Sequence, residues 1–175
     1  LSYRKAIEIK PNYAVAHNNL GNILRDLGNL QEAELSTHKA IKIKPDFADA
    51  HLNLGVILRD LSKLQESFDS YLRVIEINPT YPNIYHCITE FLRDSDPLQL
   101  NKSKLRNILN LLLERNDVTH KELLKAFNFV YINEIINNLE KIDSDFSEIE
   151  LLINDQILIN ALKKIIFCDL KLEKA

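Results

Sequence analysis

The sequence predicts an all-α chain: an α-solenoid of antiparallel helix pairs over residues 1–97, then non-repeat helices over 98–175. Three observations predict it. A unit of 34 residues occurs twice in register. Apolar residues recur at three- and four-residue spacing through both copies. Glycines and prolines number only three and five in 175 residues, so turn signals are few and short loops between helices are favoured.

The repeat is read directly from the residues. Leu20-Gly21 returns as Leu54-Gly55, Leu24-Arg25-Asp26-Leu27 as Leu58-Arg59-Asp60-Leu61, and Leu30-Gln31-Glu32 as Leu64-Gln65-Glu66. Pro11, Pro45 and Pro79 are each 34 apart. Residues 1–12 read as a half repeat, because Ala6-Ile7-Glu8-Ile9-Lys10-Pro11 matches the ends of the next two units. Full repeats follow at 13–46 and 47–80, and a degenerate one starts at 81. The chain starts and stops within periodic stretches, so the expectation is a fragment of a longer protein.

In the first full repeat, Ala16, Leu20, Ile23, Leu24 and Leu27 form one apolar stripe over a helix at 13–26, stopped by Gly28-Asn29. A second helix at 30–43 carries Leu30, Ala33, Thr37, Ala40 and Ile41, and Pro45 blocks its continuation. The next unit predicts helices at 47–60 and 64–77. There Ser62-Lys63 stands in place of Gly28-Asn29, which is costly if the turn needs positive φ. Gly21 and Gly55 lie inside helices, where glycine costs about 1 kcal/mol against alanine. Close helix packing is the expected compensation. Ala16, Ala33 and Ala40, with Ala50, Ser67 and Val74 one unit on, keep the same seam small.

The third unit begins in register with Ile84, Tyr85, Ile88, Phe91 and Leu92, then departs at Ser95-Asp96-Pro97. A helix from 98 or 101 to 115 follows, carrying Leu105, Ile108, Leu109, Leu112 and Leu113. Thr119-His120-Lys121-Glu122 and Ser147-Glu148-Ile149-Glu150 read as capping boxes, the first opening a helix towards Lys141. A last helix is expected at 155–167.

Composition narrows the functions. Lys and Arg number 11 against 13 Asp and Glu in residues 1–97, and 11 against 12 in 98–175. Neither half is basic, which disfavours binding through neutralised phosphates. No apolar run reaches the length of a membrane span, and no secretion signal is expected. Cys87 and Cys168 read as two thiols of a reducing compartment, or alternatively as one disulfide. A cytoplasmic location is the matching expectation. No nucleotide loop, nucleophile elbow or metal-ligand cluster occurs, so the chain is expected to be non-catalytic and to hold no cofactor or metal. His17 and His51 are expected on the packed side of their helices.

This pattern resembles the tetratricopeptide repeat family. His17, Leu20, Gly21, Leu24, Gly28, Leu30, Ala33, Thr37, Ala40 and Pro45 carry the resemblance, as do the residues one unit on. Asn18-Asn19-Leu20-Gly21-Asn22 and Leu30-Gln31-Glu32-Ala33 look most like the repeats of O-linked N-acetylglucosamine transferase and of bacterial proteins built similarly. The resemblance implies protein or peptide binding on an inner surface, with Asn19 and Asn53 holding an extended backbone. Cys87 departs at the third such position, so the ladder is short. Residues 158–173 resemble, weakly, a segment joining such repeats to transferase-like or methyltransferase-like domains.

Stacked helix pairs line their inner face with first helices, so residues one repeat apart become neighbours. The expected columns are Asn18, Leu52, His86; Asn22, Val56, Glu90; and Arg25, Arg59, Arg93 beside Asp26, Asp60, Asp94. Two readings of the Arg–Asp columns stand side by side: a solvated face with local ion pairs, or a peptide groove. The candidate peptide-binding residues are Asn18, Asn19, Asn22, Arg25, Asn53, Arg59, His86 and Arg93. The alternatives to a binding module are a non-catalytic extension of a larger transferase or methyltransferase-like enzyme, and a homo-oligomer formed through exposed solenoid ends.

Overall fold

A computed structural model describes residues 2–132. It contains α1 (Ser2–Ile9), α2 (Ala14–Asp26), α3 (Leu30–Ile43), α4 (Ala48–Asp60), α5 (Leu64–Ile77), α6 (Ile84–Asp94), α7 (Lys102–Glu114) and α8 (Leu124–Phe127). The chain divides into two compact units between Ile84 and Tyr85.

In the first unit α2 pairs antiparallel with α3, and α4 with α5. The apolar stripes determine these pairs. Ala16, Ala33, Ala40 and Ala50 are fully buried at the seams, and Phe68, Tyr71 and Val74 fill the second pair. Leu24, Ala33 and Ile57 form one cluster, with Leu20 and Leu61 packed against it, so the core runs from one repeat into the next. The stripe read on α2 is buried only in part: Ile23 and Leu27 lie exposed, while their counterparts Ile57 and Leu61 are covered by the preceding repeat.

The glycines meet their neighbours closely. A Cβ on Gly21 would collide with Thr37 Oγ1, and one on Gly55 falls 2.6 Å from the Tyr71 ring. Helix propensity is sacrificed at both positions for close approach of the paired helix. Thr37 is fully buried, and its hydroxyl has no hydrogen-bond partner among the described residues. Ser67, the counterpart of Ala33, donates its hydroxyl to the Gly55 carbonyl at 2.7 Å.

Both first helices end in the same turn. Gly28 N–H donates to Arg25 O and Asn29 N–H to Leu24 O, and Ser62 and Lys63 repeat the pattern with Arg59 and Leu58. This is a Schellman motif, which requires a left-handed residue after the helix. Gly28 adopts φ +79°, and Ser62 adopts φ +61°. The penalty expected for a side chain in that turn is therefore present in the second repeat.

In the second unit α6 buries Tyr85, Ile88, Phe91 and Leu92. The Asp96 carboxylate accepts from Leu98 N–H at 3.1 Å, with Pro97 opening a 3₁₀ turn over Pro97–Gln99. Asn101 caps α7 by accepting from Lys104 N–H at 3.0 Å. Leu105, Ile108, Leu109, Leu112 and Leu113 are all buried, as their spacing predicts.

The capping box at Thr119 does not form. The Thr119 side chain makes no cap, and His120–Leu123 is a 3₁₀ turn. The Glu122 carboxylate pairs instead with Arg93 at 3.3 Å, since a charged partner holds it more strongly than a backbone amide. Nor is the following stretch one regular α-helix: the 3₁₀ turn gives way to the single turn of α8 and then to π-helical backbone at Asn128–Ile132. The second capping box, the helix expected at 155–167, the linker-like stretch at 158–173 and Cys168 lie outside the described residues.

Candidate functional site

Six of the eight candidates lie in the first unit. Asn18, Asn22 and Arg25 are spaced by four and three residues on α2, so they share one helix face. Asn19 lies beside them, and Asn53 and Arg59 lie on α4. His86 and Arg93 are carried by α6, in the second unit.

The asparagines meet differently from the expected column. Asn53 Nδ2 donates to Asn18 Oδ1 at 2.9 Å, which joins residues 35 apart rather than 34. A helix offers different flanks to its two neighbours. The residue reaching forward (Asn18) and the residue reaching back (Asn53) therefore occupy adjacent repeat positions. Asn18 is buried, and its amide oxygen is used in holding Asn53. Asn53 remains half-buried, with its own amide oxygen and one amide hydrogen unused by Asn18. Asn22 is also half-buried, and its Oδ1 is without a hydrogen-bond partner among the described residues.

The arginines differ in what already holds them. Arg25 donates one Nη–H to the neighbouring Asp26 at 2.8 Å. Among the described residues Arg59 has only a 3.9 Å ion pair with Asp60, which leaves its guanidinium fork open to them. Arg93 is gripped by both carboxylate oxygens of Asp94, at 2.8 and 3.0 Å, and reaches Glu122 as well. Those hydrogen bonds raise Arg93 further above its ordinary pKa. His86 is exposed and lies 3.6 Å from Glu90. Local ion pairs thus account for much of the Arg–Asp columns, with Arg59 the exception.

His17 is buried on the packed side of α2, whereas His51 on α4 is half-buried. Each ring places Nε2 2.9 Å from a proline carbonyl six residues earlier, Pro11 for His17 and Pro45 for His51. Lys10 over the Tyr13 ring and Lys44 over the Phe47 ring repeat with the same period, at 5.5 and 5.3 Å. Among the described residues no group of three or more His, Cys, Asp or Glu side chains is placed to hold a metal. Among them, too, no helix is long and apolar enough to cross a membrane.

The proline-ended 34-residue period, the buried alanines, the helical glycines against Thr37 and Tyr71, and the paired antiparallel helices now stand together. Residues 14–47 and 48–81 each match the tetratricopeptide repeat family. The chain thus carries two tetratricopeptide repeats, over residues 14–81. Three solved structures share its fold. MamA is 17% identical, with a TM-score of 0.58 over 99% of this chain and 88% of MamA. Pseudomonas aeruginosa PilF is 16% identical, with a TM-score of 0.53 over 87% of this chain and 72% of PilF. YrrB, described as a tetratricopeptide repeat protein with an unusual peptide-binding site, is 16% identical, with a TM-score of 0.50 over 95% of this chain and 91% of YrrB. No curated protein matches the chain by sequence.

Two polar features were not legible in the sequence. Lys63 Nζ donates to both oxygens of Glu34, at 2.7 and 2.8 Å, linking the α4–α5 turn to α3 of the repeat before. These bonds raise the Lys63 pKa. The pair occurs once rather than periodically, so the repeat register carried no signal for it. In the second unit, Arg93, Thr119, Lys121, Glu122, Lys125 and Asn128 line an open groove of about 590 Å³. It joins residues of α6 to residues some 30 positions later, beyond the reach of periodicity.

Proposed function

We propose that the first unit is a peptide-binding module whose polar face along α2 and α4 receives an extended segment of a partner protein. Asn53 is the central group. The observation that carries this reading is the Asn53–Asn18 hydrogen bond, because it orients a half-buried amide and leaves one donor and one acceptor for a peptide backbone. Asn18 is then a positioning residue rather than a contact. Asn22 offers a further unpaired acceptor. Arg59, whose fork is open, supplies a charge-assisted contact to a carboxylate on the bound segment. Arg25 plays a smaller part, since Asp26 already holds it. The peptide-binding site in the description of YrrB supports the mode of use, although not the residues.

Selection of peptides from a displayed library on the full chain, followed by affinity measurement, tests the reading. Asn53→Ala and Arg59→Ala are each expected to weaken the selected peptide about 5- to 30-fold, from the loss of about 1–2 kcal/mol of hydrogen bonding. Helicity should be unchanged in both. Leu54→Ala, which empties a buried site, should instead cost about 2–5 kcal/mol of stability. Unchanged affinity in both polar variants would remove this face as the site.

A further inference from the structure

The groove of the second unit lies beyond the matched repeats, and its charges are unevenly committed. Arg93 gives two hydrogen bonds to Asp94, at 2.8 and 3.0 Å, and a third to Glu122 at 3.3 Å. Glu122 is the carboxylate that lines the groove, and Arg93 already occupies it. Lys121 and Lys125 line the groove as well, and both are exposed. Lys125 Nζ donates to the Ser95 carbonyl at 2.9 Å. That neutral acceptor positions the ammonium without cancelling its charge. Among the described residues no carboxylate pairs with Lys121 or Lys125. The groove is therefore locally positive in a chain whose net charge is -3.

The irregular backbone sets these side chains beside an apolar wall. Lys121 falls in the 3₁₀ turn His120–Leu123, Lys125 falls in α8, and Asn128 opens the π-helical segment Asn128–Ile132. A π turn interrupts the ordinary helical register, and such turns recur at functional sites. Leu123, Ala126 and Phe127 are buried and satisfy the core. Leu124 is not needed there: it lines the groove with 37% of its surface exposed. At about 590 Å³ the groove exceeds a phosphate ion or a single side chain and has room for a short stretch of peptide.

An apolar wall beside two uncancelled ammonium groups complements one chemistry. We propose that this groove binds an acidic peptide segment of a partner protein. An apolar side chain of the segment seats against Leu124, flanking carboxylates meet Lys121 and Lys125, and Asn128 hydrogen-bonds the peptide backbone. Arg93 and Glu122 are positioning residues, whose pair ties the 3₁₀ turn to α6. The site is separate from the polar face of α2 and α4 and does not rest on that reading.

The test titrates the peptide acetyl-Asp-Glu-Leu-Asp-Glu-amide into the full chain at low salt, followed by amide NMR. Affinity is read from the groove amides alone, so binding near Arg59 does not enter. Amides of Lys121, Leu124, Lys125 and Asn128 are expected to shift together and saturate. Joint substitution Lys121→Glu and Lys125→Glu should weaken this binding about tenfold or more, and Lys121→Arg with Lys125→Arg should preserve it. Arg59→Ala should leave it unchanged. A probe with Asn and Gln in place of its acids should bind about tenfold more weakly, and one with Ser in place of Leu about fivefold. Groove amides that do not move overturn the proposal, as does equal binding of the neutral probe. That comparison uses the unaltered chain, so it decides even where a variant fails to fold. Inorganic phosphate giving the same shifts would show a simple anion site and overturn the peptide role. The chain's own stretch of Asp143, Asp145, Glu148 and Glu150 carries similar chemistry. If their joint replacement by Asn and Gln tightens the probe about tenfold, that stretch is the occupant and the partner role is overturned.

Discussion

A single backbone angle separates the two repeats at the level of residues. Gly28 and Ser62 occupy the same left-handed position of the same Schellman turn, at φ +79° and +61°. A side chain in that conformation costs about 1–2 kcal/mol, partly offset by the larger entropy that glycine loses on folding. Ser62→Gly is therefore expected to raise stability by about 1 kcal/mol in denaturant unfolding, with an unchanged dependence on denaturant. The helical glycines run the other way. Gly55→Ala gains about 1 kcal/mol in helix propensity, but its methyl group must displace the Tyr71 ring, which is fully buried. Overpacking of that kind costs about 1–3 kcal/mol, so thermal unfolding of the variant should show a net loss. The turn penalty was legible in the sequence because Ser62 replaces a glycine in an otherwise matched phrase. The tight seat of Gly21 against Thr37 was legible only as a demand for closeness, since the burial of the Thr37 hydroxyl depends on how the two helices pack.

At the level of elements, periodicity located α2 to α5 and α7 to within a few residues, because each buries a regular stripe, and α2 to α5 each end at a glycine, a proline or a matched turn. It misread the chain after Thr119, where charge overrides local capping. Glu122 serves Arg93, and the backbone passes through 3₁₀, α and π turns in succession. The end of α7 shows the same rule. Arg115 stacks over the Tyr85 ring at 3.7 Å and grips Asp117 with two hydrogen bonds, at 2.8 and 2.6 Å. The hydrogen bonds from Arg115 lower the Asp117 carboxyl below the ordinary aspartate range. Its contribution to stability is therefore complete above that range and is lost as pH falls through the lowered midpoint. A carboxyl-carbon NMR titration should place Asp117 below an ordinary aspartate, and Arg115→Gln should return it to that range. An Asp117 midpoint unaffected by the substitution would show that the pair does not act in solution.

At the level of the whole molecule, repeat arithmetic identified the polar face but not its wiring. A column of residues 34 apart was the natural expectation, yet the observed amide pair is offset by one residue, because a helix meets its two neighbours with different flanks. On the proposed reading, the same offset makes Asn18 a support and Asn53 the presented group. The Arg25, Arg59 and Arg93 series looked uniform in sequence. Its members differ in how firmly Asp26, Asp60 and Asp94 hold them, and only the local geometry discloses that Arg59 is the open one. Side-chain amide NMR of the full chain during titration with a selected peptide tests the central claim most directly. The account predicts that the Asn53 Nδ2 resonances shift and gain protection, with Asn22 following and Asn18 little changed. Shifts confined to residues away from α2 and α4, with Asn53 unmoved at saturation, would contradict it.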